Sequence, residues 1–289
     1  MWGMSKIGRS DIAAAISGLV AANGPAIFLT DASDGRQYSY DQFSLHVHAL
    51  AAQLEARGLA AGDTVALILP NSYLLLLHYF AALIAGLRVI PIDPEKGPVE
   101  RDLILAQTPV VAVVAATAGA AETHIAPEAL DVYSHRVGES LQNRFLSVDP
   151  DRDFLLTFTS GTTGVPKGVR HSLRNIYEAA AAFGSRFSFG PQHFFYHNLP
   201  MSYMAGILNS IFLPFFSGSR LVLGERFGVA TALRFWDAPA RYGVNVFWIV
   251  PTVVAMLLKL DRGHQGIDYA RQTKILACIG TAPLSPDHK

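Results

Sequence analysis

Ten residues in the second half of the chain have the side-chain types that phosphate chemistry needs. The segment TSGTTGVPKG, residues 159–168, places three glycines, four hydroxyl side chains and one lysine directly after an apolar run. Gly161, Gly164 and Gly168 are expected to adopt positive φ, and successive exposed N–H groups in such a turn form a concave anion site. Lys167 adds a mobile positive charge. The pattern predicts a loop that holds a polyphosphate, with an ordinary Gly/Ser/Thr-rich surface loop as the alternative.

The spacing within this segment differs from that of the P-loop ATPases. Their pattern places a glycine immediately before the lysine and a serine or threonine immediately after it. Here Pro166 precedes Lys167 and Gly168 follows it. The P-loop interpretation is therefore disfavoured.

The same ten residues resemble, without a departure, the phosphate loop of the adenylate-forming superfamily, which includes acyl- and aryl-CoA synthetases, luciferases and peptide-synthetase adenylation domains. The resemblance implies that the loop holds the β- and γ-phosphates of ATP while a carboxylate attacks the α-phosphate. It also implies that Lys167 is catalytic, because its charge would neutralise the departing pyrophosphate. The phosphate-binding residues that it implies are Thr159, Ser160, Gly161, Thr162, Thr163, Gly164 and Lys167.

Two later segments resemble the acyl and adenine pocket of the same superfamily. In NLPMSYMAGILN, residues 198–209, Tyr203 stands where many acyl- and aryl-CoA ligases have a histidine. A tyrosine still donates a hydrogen bond but cannot carry the positive charge of an imidazole; the alternative is an ordinary core tyrosine. The segment ILACIGTAPLSPD resembles the turn beside the adenine and the acyl carbonyl. The pocket residues implied by resemblance are Tyr203, Gly206, Gly280, Thr281, Ala282 and Pro283.

The first of these pocket segments also indicates which class of carboxylic acid is the substrate. Amino-acid-activating members have an aspartate in this region, which pairs with the α-ammonium of the substrate. Residues 200–209 contain no acidic side chain, and an unpaired ammonium in an apolar pocket is costly. We therefore expect a fatty or aromatic carboxylic acid without an α-amine. Coenzyme A is the acceptor that the resemblance favours, with a carrier protein as the alternative.

The resemblance extends over almost the whole chain, but some motifs of the superfamily do not occur in these 289 residues. The magnesium-binding Glu, the ribose-binding Asp and the lysine of the C-terminal domain are not found. The cofactors implied are ATP and Mg²⁺, with no metal ligand predicted in this chain. We expect the chain alone to be almost inactive and to self-associate through uncovered apolar surface.

Two other classes of function stay open from the sequence. The first is a non-catalytic nucleotide- or acyl-binding module, or a pseudo-enzyme, which the motifs not found here make credible. The second is an amidase-type hydrolase, which needs a second serine and a lysine at fitting positions. We find no such pair in the sequence, so the amidase interpretation ranks last.

The composition excludes several partners. The chain has 23 Lys and Arg against 23 Asp and Glu, so no basic field recruits nucleic acid. Its composition is 51% hydrophobic, but the longest apolar stretch, residues 72–87, is too short to span a bilayer and carries His78. The start of the chain lacks the apolar core of a secretory signal. A single Cys278, expected to be an inert buried thiol, fits a reducing cytoplasm.

Apolar strands that alternate with helices predict the fold class. The expectation is an α/β fold of stacked, mostly parallel sheets with helices on both faces, which by resemblance is the large N-terminal domain of adenylate-forming enzymes, incomplete here. The weakly patterned region 116–150 predicts a junction between subdomains 1–150 and 151–289. The predicted strands are 26–29, 38–40, 64–69, 89–92, 110–114, 154–158, 194–199, 220–223, 245–250 and 274–279. The predicted helices are 11–22, 41–57 with Asp41 as its cap, one capped by Asn71 and ended by Gly86, 172–186, 206–217, 229–242 and 252–260.

Overall fold

The computed structural model describes residues 9–116, 124–127, 130–131, 144–159, 166–260 and 265–283. In chain order the helices and strands are α1 (Arg9–Asn23), β1 (Ile27–Asp31), β2 (Gln37–Ser39), α2 (Tyr40–Ala56), β3 (Thr64–Ile68), α3 (Tyr73–Ala85), β4 (Arg88–Pro91), α4 (Pro98–Leu105), β5 (Ala112–Ala115), β6 (His124–Ile125), β7 (Asp153–Thr159), β8 (Lys167–Ser172), α5 (Leu173–Phe187), β9 (Phe194–His197), α6 (Leu213–Phe216), β10 (Arg220–Leu223), α7 (Val229–Ala232), α8 (Asp237–Tyr242), β11 (Val246–Ile249), α9 (Pro251–Leu260), α10 (Gln265–Gln272) and β12 (Leu276–Ile279). A 3₁₀ turn covers Arg144–Ser147, and a π-helix covers Ala205–Phe212.

The contacts of the chain divide it into two compact units. The first comprises Met1–Ala26 and Ser39–Glu178, and the second comprises Ile27–Tyr38 and Ala179–Lys289. The predicted boundary at residue 150 falls inside the first unit, because β7 and β8 extend the sheet of that unit. The early strand β1 belongs to the second unit, because it pairs with β10.

The sheet of the first unit has the strand order β6-β5-β3-β4-β7-β8. Its neighbouring strands are parallel except for the antiparallel pair β7 and β8. The central strands are buried along most of their length, as expected for parallel strands covered on both faces. One core cluster of this unit packs Ala66, Ile90, Val113 and Leu156 together with Ile104 of α4.

The sheet of the second unit has the strand order β12-β11-β9-β10-β1-β2. The strands from β12 to β1 are all parallel, so their carboxyl ends lie at one edge of this sheet. A core cluster packs Tyr196, Val222, Phe247 and Val253 against the short helices that follow β10. With two mostly parallel sheets and surrounding helices, the predicted α/β fold class is confirmed.

Local hydrogen bonds set the ends of two long helices. At the start of α2, the Ser39 hydroxyl accepts the Gln42 N–H at 3.1 Å, and the Gln42 side chain accepts the Ser39 N–H at 2.9 Å. The α3 helix starts at Ser72, whose hydroxyl accepts the Leu75 N–H at 3.1 Å. The predictions that Asp41 caps α2 and that Asn71 caps α3 were therefore wrong. The caps are Ser39, two positions earlier, and Ser72, one position later. The α3 helix ends at Gly86 in the left-handed conformation, as predicted.

Four elements were absent from the sequence prediction, and one predicted helix is divided. The missing elements are α4, α10 and the strands β6 and β8; most side chains of α10 and β8 are exposed. The predicted helix 229–242 is formed instead by α7 and α8, separated by a turn. Pro239 accounts for the break, because its ring excludes a helical hydrogen bond to the preceding turn. Within the ranges that the structure describes, no helix combines the length and apolarity that a bilayer span requires.

Candidate functional site

The β7–β8 hairpin holds the two ends of the predicted phosphate loop. Its ladder pairs Phe158 with Gly168 and Thr159 with Lys167. Residues 160–165 connect the strands and lie outside the described residues, so Ser160, Gly161, Thr162, Thr163 and Gly164 cannot be placed. Thr159 ends β7 at the carboxyl edge of the parallel strands, which is where ligands bind in open α/β sheets.

The two strands of this hairpin differ in burial. Residues 154–157 of β7 are buried, and Leu156 belongs to the core of the first unit. Residues 167–170 of β8 face solvent, and so does Thr159. The hairpin therefore has one anchored strand and one exposed strand, which fixes the base of the loop while leaving Lys167 accessible.

Lys167 is an accessible cation at this base. Its side chain is exposed, and no carboxylate of the described residues lies within ion-pair distance of it. The nearest ion pairs of the hairpin region are formed by other cations: Arg170 contacts Asp153 at 3.4 Å, and Arg174 contacts Asp151 at 2.6 Å. An ammonium group without a competing carboxylate suits the binding of a phosphate oxygen.

Gly168 has a different role from the one expected. Its φ is not in the left-handed region, so the prediction of positive φ at this position was wrong. A Cβ there would lie 3.1 Å from Leu156 Cδ1 and 3.2 Å from Phe158 Cε1. The glycine therefore allows close side-chain packing across the hairpin.

A histidine stabilises the hairpin further from the loop. His171 Nε2 lies 2.9 Å from the hydroxyl of Thr157 on the facing strand. Burial lowers the pKa of His171 below its ordinary value, which favours the neutral imidazole near pH 7. His171 thus adds a cross-strand hydrogen bond and no positive charge.

In the second unit, Tyr203 and Gly206 follow β9 at the carboxyl edge of the sheet. A turn from Pro200 to Tyr203, closed by the Tyr203 N–H to the Pro200 carbonyl at 3.2 Å, leads into the π-helix. Tyr203 is 60% exposed, so the alternative of a core tyrosine is wrong. Its phenol is free to turn toward solvent or a ligand.

Gly206 is required by packing. A Cβ at this position would lie 2.1 Å from the Pro200 carbonyl oxygen and 2.9 Å from its carbon. The π-helix continues to Phe212, and the Leu213 N–H donates to the Leu208 carbonyl five residues earlier. Such i→i+5 turns are rare and often occur at functional sites.

Four buried polar residues around the π-helix were not identified from the sequence. They are His197, Asn198, Asn209 and Ser210, each at least nine-tenths buried. Both ring nitrogens of His197, both amide atoms of Asn198, Asn209 Oδ1 and Ser210 Oγ have no hydrogen-bond partner among the described residues. Their polarity in the segment HNLPMSYMAGILNS was visible, but only the fold shows that they are buried.

Among these four residues, His197 is the one whose side chain can carry a positive charge, and burial changes its pKa strongly. Burial lowers the pKa of His197 to about 3, and the Gly206 backbone beside the ring opposes this shift. Although that backbone is close, neither ring nitrogen forms a hydrogen bond of good geometry. The ring is therefore neutral at physiological pH and supplies no charge to this edge.

Gly280, Thr281, Ala282 and Pro283 follow β12 at the same edge of the sheet. The Gly280 N–H donates to the Ile249 carbonyl at 3.2 Å, which fixes the start of the turn. Thr281 adopts φ +71°, an uncommon conformation for a residue with a branched Cβ. Its side chain and the two that follow are exposed, so the turn presents accessible groups.

The candidate residues thus form two sets, one in each unit. Thr159 and Lys167 share the hairpin of the first unit, while Tyr203, Gly206 and the 280–283 turn share the carboxyl edge of the second. Within the described ranges, no three His, Cys, Asp or Glu side chains are grouped as metal ligands.

Comparisons with known proteins match this arrangement. A family model described as AMP-binding enzyme matches residues 19–289. A sulfoacetate–CoA ligase from Cupriavidus necator is 26% identical over 295 residues, which cover 96% of this chain and 56% of that protein. A probable CoA ligase, CCL5, from Humulus lupulus is 27% identical over 290 residues, which cover 92% of this chain and 51% of that protein. The chain thus spans about half the length of these two relatives.

The solved structures show the same fold. The N-terminal domain of FACL13 from Mycobacterium tuberculosis superposes with a TM-score of 0.80 at 22% identity, covering 96% of this chain and 71% of that one. At that level of identity the likeness concerns the fold alone. It agrees with the two mostly parallel sheets described above.

Proposed function

The chain belongs to the AMP-binding enzyme family, and from this we propose that it supplies the phosphate-binding hairpin of an acid–thiol ligase. In the proposed reaction, ATP activates a carboxylic acid and the acyl group then passes to coenzyme A. The curated relatives named above are CoA ligases, which supports this reaction type. A carrier-protein thiol is the alternative acceptor.

The observation that carries the proposal is the base of the hairpin. Thr159 and Lys167 face each other across the ladder, both exposed, at the carboxyl end of a buried strand. A polyphosphate bound there would meet a hydroxyl and a cation that β7 anchors to the core. The proposed contacts of Ser160, Gly161, Thr162, Thr163 and Gly164 belong to the same loop.

The chemistry assigned to this hairpin is charge stabilisation. A carboxylate oxygen of the acid attacks the α-phosphorus of ATP, the bond to the β-phosphate bridging oxygen breaks, and pyrophosphate leaves with the bonding electrons. Lys167 is proposed to offset the negative charge that grows on this leaving group. In the second step the thiolate of coenzyme A attacks the acyl carbonyl and AMP leaves. We assign no step to the metal.

The acid is proposed to lack an α-amine, as residues 200–209 contain no carboxylate for an ammonium. Fatty and aromatic acids are the classes that the sequence favours. The name of the Cupriavidus relative adds sulfoacetate, a short acid with a second anionic group. Tyr203, Gly206 and the residues of the 280–283 turn are the proposed lining of the acyl and adenine pocket.

The 289 residues alone are proposed to bind ATP but to form the adenylate very slowly. The magnesium Glu and the C-terminal lysine of the superfamily do not occur in this sequence. Losing such groups lowers a rate by roughly a thousandfold or more. Exchange of labelled pyrophosphate into ATP, with fatty, aromatic and short dianionic acids, measures this rate; rapid exchange would contradict the proposed inactivity.

Calorimetric titration with ATP tests the role of the hairpin. Lys167→Ala removes the exposed cation and should weaken ATP binding by about tenfold or more. Lys259→Ala is the matched control, because Lys259 is also exposed but lies near the end of α9. Equal affinities for the two variants would overturn the assignment of Lys167. Slow exchange that one class of acid stimulates would support the ligase, whereas ATP binding with no acid-stimulated exchange at all would favour a non-catalytic nucleotide-binding module.

A further inference from the structure

A side chain outside the phosphate loop is hydrogen-bonded to its base. Gln107 follows the C-terminal end of α4, and its Nε2 donates to the Pro166 carbonyl oxygen at 2.7 Å. The same nitrogen donates to the Leu103 carbonyl at 3.3 Å. One amide group thus connects the last turn of α4 to the residue directly before Lys167, although Gln107 and Pro166 are 59 positions apart.

The hydrogen bond from Gln107 to the Pro166 carbonyl restricts the backbone of Lys167, the residue that carries the positive charge. The peptide between Pro166 and Lys167 is planar, so holding the Pro166 oxygen also orients the Lys167 N–H and limits the Lys167 Cα. On the other side, Lys167 is paired with Thr159 in the ladder, and the Thr159 hydroxyl lies 3.5 Å from the Lys167 carbonyl oxygen. The backbone at Lys167 is therefore held from both sides.

The α4 helix is anchored to its unit by burial as well as by this bond. Gln107 is exposed, while α4 is anchored through the buried Ile104, which packs in the core cluster with Ile90 and Leu156. A hydrogen bond to the Leu103 carbonyl is all that Gln107 would need to supply to the last turn of α4. The additional contact to Pro166 is explained by the loop that begins there.

We propose that Gln107 is a positioning residue for polyphosphate binding, acting through the Pro166–Lys167 peptide. The proposal rests on the proposed function of Lys167. Gln107 touches no substrate atom; it selects the backbone orientation from which the Lys167 side chain reaches the phosphates. A second donor at the loop base was not visible in the sequence, because the residues that meet there are distant along the chain.

The test compares ligands that differ only in the phosphates. Gln107→Leu keeps the size of the side chain but removes both donated hydrogen bonds. Its affinity for ATP and for pyrophosphate should fall by about threefold to tenfold, whereas its affinity for AMP should not change. Calorimetry with each of the three ligands measures this difference on the whole chain.

Gln53→Leu is the matched control. Gln53 is also a partly exposed glutamine of the first unit that bonds to a distant backbone, accepting the Asp131 N–H at 3.0 Å and donating to the Asp131 carbonyl. Its replacement removes equivalent bonds away from the hairpin and should leave ATP and pyrophosphate affinity unchanged. Thermal unfolding should respond similarly in the two variants.

The outcomes separate this inference from the proposed function. If Lys167→Ala weakens ATP binding and Gln107→Leu does not, only the role of Gln107 is overturned. Equal weakening of ATP and AMP by Gln107→Leu would show a general structural effect and would also overturn it. If the unmodified chain binds neither ATP nor pyrophosphate, the proposed function and this inference both fail.

Discussion

The β7–β8 hairpin and the segment after β9 both carry glycines and polar side chains, but in opposite environments. At the hairpin, Thr159 and Lys167 face each other and are both exposed, whereas residues 154–157 earlier on β7 are buried. From the last residue of β9 onward, polar groups such as His197 and Ser210 are buried without hydrogen-bond partners in the described structure. A ligand can use the first set directly, while the second set lowers the stability of its own unit.

This contrast separates effects on binding from effects on folding. An exposed cation at the end of an anchored strand can be removed with little loss of stability, since surface charges contribute little to folding. A buried residue in a tight turn has neighbours that cannot move without disturbing the core. Substitutions after β9 should therefore change the free energy of unfolding far more than substitutions at the hairpin.

The largest effect is expected at Gly206. In Gly206→Ala the new methyl group would meet the Pro200 carbonyl oxygen, which is fixed in its turn by the Tyr203 N–H. We expect a loss of about 3 kcal/mol in the free energy of unfolding, measured by chemical denaturation. Gly18→Ala is the control, because a Cβ there meets nothing within 4 Å on an exposed face of α1; it should stabilise the chain by about 0.5–1 kcal/mol. Similar losses in the two variants would refute the packing explanation.

The next effect concerns His197 and pH. Its pKa is about 3 in the folded chain against an ordinary value of 6.5, because burial disfavours the imidazolium. The contribution of the neutral ring to stability is therefore complete above pH 6.5 and is lost as the pH falls from 6.5 toward 3. At pH 5 this loss amounts to about 2 kcal/mol. His197→Gln should reduce the fall in unfolding free energy between pH 7 and pH 5 by that amount.

His78 offers a parallel measurement in the first unit. It is fully buried on α3, and burial lowers its pKa to about 4. As with His197, the pKa of His78 is lower in the folded chain than its ordinary value, so the free energy of unfolding falls as the pH drops below 6.5. His78→Gln should therefore also reduce the fall in unfolding free energy between pH 7 and pH 5. If His197→Gln leaves this fall unchanged while His78→Gln reduces it, the ring of His197 must have a partner that offsets its burial.

The sequence predicted the main elements of the fold because they carry strong local signals. Apolar runs marked the central strands, and Gly86 marked the end of α3. The caps at Ser39 and Ser72 were displaced because Asp41 and Asn71 are equally suitable side chains close by. Hydrogen bonds in the folded chain decide between such neighbours, and the sequence does not contain them.

The strand β8 was missed for a physical reason that also bears on the site. Its residues, KGVRHS, form no apolar run, since the strand lies at the edge of the sheet and exposes most of its side chains. Only pairing with β7 makes it a strand. Residue type alone made Lys167 a candidate, whereas its placement in a ladder opposite Thr159 required the structure.

The features after β9 were even less visible. A π-helix has no signature in residue spacing, and the close approach of Gly206 to the Pro200 carbonyl was not visible in the sequence. The polar residues His197 and Asn198 carry no sign of their burial, because a tertiary contact with the π-helix causes it. Local sequence therefore indicated which residue types stand at the hairpin, but it did not indicate how this edge is packed.

Ser210 tests whether the buried polar groups destabilise their unit. Its hydroxyl has no hydrogen-bond partner in the parts of the chain that are described, so Ser210→Ala should raise the free energy of unfolding by about 1 kcal/mol. Ser217→Ala is the control, as that hydroxyl donates to the Leu213 carbonyl at 2.7 Å and lies 2.9 Å from the Ser219 hydroxyl. The control should lose about 1 kcal/mol. A loss of stability in Ser210→Ala as well would indicate that a bound water or ligand satisfies the hydroxyl.

The smallest effect is expected at Gly168, which completes the comparison with Gly206. A Cβ at Gly168 would approach Leu156 Cδ1 and the Phe158 ring, which are ends of side chains that can shift by a few tenths of an ångström. Alanine also restricts the unfolded backbone more than glycine, which offsets part of the strain. Gly168→Ala should therefore change the free energy of unfolding by no more than about 0.5 kcal/mol in chemical denaturation. A loss as large as that of Gly206→Ala would mean that the exposed hairpin is as tightly packed as the turn after β9, and the separation of binding from folding would not hold.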